Sequence, residues 1–79
     1  MAASLVRFRR TDPAANPAAL VAAWLIDALA CDSGVRLQSS DAECIMLDVW
    51  PARRQVSIRE LIGSALSEPR FAGWQVVFE

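Results

Sequence analysis

The chain has 79 residues, 54% of them apolar, and sets eight arginines against nine acids for a net charge of −1, with no histidine, lysine or tyrosine. Those missing types remove the commonest general base and metal ligand, the Schiff-base amine and the phenolic acid. The near-even charge gives no electrostatic case for a general nucleic-acid or membrane binder.

A chain of this length reads as one domain, 1–79, which should bury about 60–65% of its unfolded surface. Three tryptophans and three phenylalanines supply core volume, and a dimer interface would add to it. The first residues put arginine after a short apolar run, the wrong order for a secretory signal. The longest apolar run, Pro17 to Ile26, is too short for a membrane span and is stopped by Asp27. The expectation is a cytoplasmic protein with reduced cysteines. Abundant Ala and Arg without Lys is the composition of a GC-rich bacterial genome.

Leu5-Val6-Arg7-Phe8-Arg9-Arg10 alternates apolar and basic residues with a period of two, and reads as a strand with one wet face. A helix follows, begun by Asp12-Pro13 or Asn16-Pro17, with Asn16 preferred as N-cap. It should run to about Cys31 and stop at Asp32-Ser33-Gly34, where Gly34 would take the left-handed turn. Its buried face should hold Leu20, Val21, Trp24, Leu25, Ala28 and Cys31. Because its other face is also largely apolar, more than the sheet should cover it.

Val35 to Ser39 alternates again, Ser40-Asp41-Ala42 forms a hairpin turn, and Glu43 to Trp50 is a third strand. That strand is apolar on both faces, as a central strand is, and Pro51 closes it. Ser57-Ile58-Arg59-Glu60 is a capping box, with Val56 and Leu61 as its hydrophobic staple. The second helix should bury Ile58, Leu61, Ile62, Ala65 and Leu66. Glu68-Pro69 ends it, and Trp74 to Phe78 is the last strand.

The order βαββαβ resembles the ferredoxin-like architecture, an α+β two-layer sandwich in which a four-stranded antiparallel sheet carries two helices on one face. With Val6, Phe8, Val35, Leu37, Ile45, Leu47, Val49, Trp74, Val76 and Phe78 turned to the helices, the open face holds Arg7, Arg9, Arg36, Gln38, Cys44, Met46, Asp48, Trp50, Gln75 and Val77. The reverse register would bury three arginines and is too costly.

Trp50 with Arg7, Arg9 and Arg36 has the residue types to stack and clamp an RNA base or a small anion. RNA-recognition modules put stacking aromatics on these two central strands. Here Cys44-Ile45-Met46-Leu47-Asp48-Val49-Trp50 lacks their basic-Gly-aromatic signature, and arginines stand in the first strand where a ring would sit. Trp, Met and Arg are also enriched at protein interfaces, so a second copy of the chain or another protein is the favoured partner. Asp48 should pair with Arg7 or Arg9 across the sheet. Arg53-Arg54 reads as a solvated loop.

Cys31 and Cys44 have no histidine to activate them, make no metal motif and read as small apolar residues. The acids are scattered, and three glycines cannot form a phosphate loop. The sequence therefore points to a non-catalytic association module without cofactor or metal. Arg7, Arg9, Arg36, Met46, Asp48 and Trp50 are its partner-binding residues, with Trp50 as the buried anchor.

Overall fold

The structure is a computed structural model that describes residues 3–31, 33–51 and 57–78. Its elements are β1 (Ser4–Arg10), α1 (Ala18–Leu29), β2 (Ser33–Ser40), β3 (Cys44–Pro51), α2 (Ile58–Leu66) and β4 (Trp74–Phe78). A single turn of 3₁₀ helix, Pro69–Phe71, precedes β4. The strands form one antiparallel sheet in the order β2-β3-β1-β4. The fold is α+β with ferredoxin-like topology.

The period-two reading of the strands holds. Val6, Phe8, Ile45, Leu47 and Val49 are fully buried, and Trp74 nearly so. Val35, Val76 and Phe78 pack partly buried against them. Leu37 lies opposite Leu47 on the same side but remains 45% exposed at the sheet edge.

The first helix departs from expectation in its start, its end and its face. Pro17 is the N-cap position, and no side chain caps the helix. Asn16 instead donates its Nδ2–H to the Arg70 carbonyl at 2.9 Å, and its own carbonyl accepts from the Trp74 indole at 2.9 Å. The helix ends at Leu29, with Ala30 as a right-handed C-cap. Gly34 is therefore not a turn residue but part of β2. Ser33, also in β2, donates its hydroxyl to the Leu29 carbonyl at 2.6 Å. The buried residues are Ala18, Val21, Ala22, Leu25 and Leu29, while Leu20 and Cys31 are exposed. The helix turns this way because Trp24 is held at its flank, edge-on to Phe71 at 6.3 Å and beneath the Arg70 guanidinium.

The second helix follows its pattern, with Ile62 buried and Ile58, Leu61, Ala65 and Leu66 half-buried. The Ser57 hydroxyl accepts from the Glu60 amide at 3.5 Å, one half of the capping box. Val56, Asp32 and the Arg53-Arg54 pair lie outside the described residues.

The β1–α1 and α2–β4 connections are tied together. The Gly73 carbonyl accepts from the Thr11 amide at 2.7 Å and the Thr11 hydroxyl at 3.0 Å. Arg10, the one arginine of β1 on the helix side, donates to the Pro13 and Ala15 carbonyls at 2.8 and 2.7 Å. Gly73 has φ +86°, and a Cβ there would fall 2.6 Å from that of Ala15. Gly73→Ala thus adds backbone strain to a clash. We expect it to cost about 1–3 kcal/mol in urea unfolding; a loss well below that would show that the junction is slack.

Candidate functional site: the open sheet face

The sheet has helices on one side only, and strand register assigns every residue of its other face. Directly across the strands, Arg7 meets Met46 and Val77, Arg9 meets Cys44 and Gln75, and Leu5 meets Asp48. On the far side of β3, Asp48 meets Arg36 and Trp50 meets Gly34. All six sequence-derived residues, Arg7, Arg9, Arg36, Met46, Asp48 and Trp50, therefore share this face.

They do not form one cluster. Trp50 is six residues along β3 from Cys44, the residue opposite Arg9, a separation of about 20 Å. A single base or small anion cannot touch both Trp50 and Arg9. The face instead divides into two ends joined through Met46.

At one end Trp50 lies over Gly34. A Cβ on Gly34 would fall 2.0 Å from the indole Cε2, so the ring occupies the space a side chain would need. The tryptophan is 37% exposed, held against its neighbour strand while presenting the remainder to solvent. Beside it, the Asp48 Oδ2 accepts from Arg36 Nη2 at 2.9 Å and from the Gln38 amide. The partner expected for Asp48 was Arg7 or Arg9; the arginine that meets it is on β2 instead, because Leu5 is the β1 residue opposite Asp48. Gln38 gains its reach from a bulge between Leu37 and Ser39, where the extra residue bends the edge strand. Donation from Gln38 and then from Arg36 holds the Asp48 carboxyl below the usual carboxylate range.

At the other end Arg7, Arg9, Glu43, Cys44 and Met46 line an open concavity of about 340 Å³. Two guanidinium groups, a carboxylate, a thiol and a thioether converge there. The Glu43 and Cys44 amides both donate to the Asp41 carboxylate at 2.9 Å, which sets the turn beside it. Glu43, Gly34 and Gln38 were not among the sequence-derived site residues. The first needed the turn geometry, the second the β2–β3 register, and the third the bulge.

Both cysteines are free thiols. Among the described residues no group of three or more His, Cys, Asp or Glu is placed to hold a metal ion. No helix among them is long and apolar enough to cross a membrane. Comparisons with family models, with curated proteins and with solved structures return no match.

Two outcomes test this geometry. Gly34→Ala, ordinarily favourable or neutral in a strand, should expel the Trp50 ring, destabilise the fold and red-shift tryptophan emission; unchanged emission would mean the ring does not rest on Gly34. Asp48→Asn tests the depressed carboxyl. A lowered folded pKa stabilises above the ordinary carboxylate value and is lost as pH falls through the folded one. The stability gap between wild type and Asp48→Asn should therefore narrow on acidification below about pH 4. A gap independent of pH would remove the pair from the account.

Proposed function

We propose that the chain is a non-catalytic association module that uses its open sheet face to bind a second copy of itself. The single observation that carries the reading is the Trp50 indole seated on Gly34. This aromatic is already ordered before any partner arrives, so binding pays less for immobilising it. Trp and Arg are the side chains that most often dominate interface energetics. Arg7, Arg9 and Arg36 lie on the same face as Asp48, and Glu43 joins them at the concavity. A face bearing both signs can be self-complementary across a two-fold axis, where the same patch must meet itself. Met46, half-buried between the two ends, supplies an adaptable apolar surface.

The test is solution mass against concentration on the untagged chain. A dimer persisting at low micromolar concentration is expected. Trp50→Ala and Arg9→Glu should each weaken it by about tenfold or more, a loss of at least about 1.4 kcal/mol. A monomer throughout, or a dimer indifferent to both substitutions, would overturn the reading. Binding of a different protein to the same residues would keep the face and change its partner.

The concavity beside Arg7 and Arg9 favours a second reading, a site for single-stranded RNA or a small anionic ligand. It predicts binding that weakens steeply with salt. The distance between the two ends separates its two forms: a strand of RNA long enough to reach Trp50 quenches its fluorescence, whereas a small anion held at Arg9 does not.

A further inference from the structure

The two edges of the sheet are not alike. β2 is blunted: it carries the bulge at Gln38, Arg36, a glycine and three serines. The bulge and the charged Arg36 are devices that keep an edge from pairing with another chain. β4, Trp74-Gln75-Val76-Val77-Phe78, has none of them. It contains no charge, no proline, no glycine and no bulge, and it pairs with β1 in unbroken register along its whole length.

The hydrogen bonds at the end of β1 show which β4 backbone groups face outward. The Arg10 amide donates to Glu43, toward β3, and the Thr11 amide donates to Gly73, toward β4. In an antiparallel ladder these directions alternate residue by residue. Arg9 and Arg7 therefore exchange their bonds with Gln75 and Val77, and the N–H and C=O groups of Trp74, Val76 and Phe78 point away from the sheet. Among the described turns, loops and caps no backbone bond involves those three residues. The outward groups are spaced symmetrically about Val76.

We propose that β4 pairs antiparallel with β4 of a second copy, about a two-fold axis normal to the sheet that passes midway between Val76 and its counterpart. Val76 then meets its own counterpart, and Trp74 meets the partner copy's Phe78. With the symmetry-related Phe78–Trp74 pair there are three narrow pairs, and two bonds at each give about six new backbone hydrogen bonds. The product is one eight-stranded sheet. A rotation about the sheet normal keeps both open faces on the same side, so Gln75 and Val77 of the two copies form the seam. The Arg7 and Arg9 rows flank it. This contact uses backbone and is independent of what the open face itself binds.

The experiment is amide hydrogen exchange by NMR over a dilution series, read beside solution mass. In the dimer all five β4 amides should be protected. On dilution Trp74, Val76 and Phe78 should lose protection together as the mass falls, while Gln75 and Val77 stay protected by β1. A contact through the open face cannot produce that alternation. Backbone N-methylation at Val76, introduced by ligating synthetic 44–79 to 1–43 at Cys44, removes one outward donor and leaves the β1–β4 bonds in place. It should weaken this association by more than about tenfold, with protection at Gln75 and Val77 confirming the fold. Trp50→Ala, on β3 and two strands away from the seam, should leave the alternating protection unchanged, so failure of the face reading and failure of this one are separately visible. Free exchange at Trp74, Val76 and Phe78 at every concentration would overturn the proposal. So would a dimer indifferent to N-methylation.

Discussion

The pairing of β1 with β3 is the constraint on which the rest of the molecule depends. On one side it sets Val6 against Leu47 and Phe8 against Ile45; on the other it sets Arg7 against Met46 and Arg9 against Cys44. Slipping either strand by one residue would exchange the sets. Two guanidinium groups would then face the helices while fully buried residues met water. An unpaired buried charge costs several kcal/mol even after relaxation, a large share of the stability of a small domain. The alternation of arginine with apolar residues therefore chooses the side on which the helices pack, and with it the composition of the open face.

Arg10 tests that logic because it falls on the helix side. It lies at the strand's end, where its guanidinium can turn out of the core onto the Pro13 and Ala15 carbonyls. Those bonds order the loop before α1, and Arg70 and Trp74 hold the same loop from the other side through Asn16. A charge that would be ruinous two residues earlier becomes a fastener at the rim. Gly73 completes the junction because only a residue without Cβ allows Ala15 so close.

The strands and the second helix were legible in the sequence because each has a single strong pattern. Ser57 and Glu60 mark the start of α2, and the alternation of arginine with apolar residues assigns the two faces of β1 and, through its pairing, those of β3. α1 was misread for the opposite reason. A helix apolar nearly all round has no pattern to orient it, and the side facing the sheet was settled by Trp24 seeking Phe71. Asn16 looked like a cap, yet a tertiary bond to Arg70 used its side chain. On the open sheet face, which residues share it was legible and their grouping was not. That Asp48 meets Arg36 and Gln38 depends on a bulge with no sequence signature, and that Trp50 rests on Gly34 depends on which residues two strands bring opposite each other.

The two proposed contacts differ in symmetry, and that difference governs what they can build together. Edge pairing about the sheet normal joins copies side by side. Packing of open faces requires an axis lying in the plane between two sheets, perpendicular to the first. Where such axes intersect, four chains close into a tetramer of two stacked eight-stranded sheets with β4 buried at both seams; where they do not, successive contacts generate an open array. The register of face packing therefore decides between a closed particle and a growing one. In the proposed face contact that register would be set by Trp50, fixed by Gly34, and Asp48, fixed by Arg36 and Gln38. Such side chains, already restrained by their own neighbours, favour a single docking geometry over a sliding apolar contact. The bulge in β2 contributes to closure twice, by bringing Gln38 to Asp48 and by leaving β4 as the one edge suited to regular pairing.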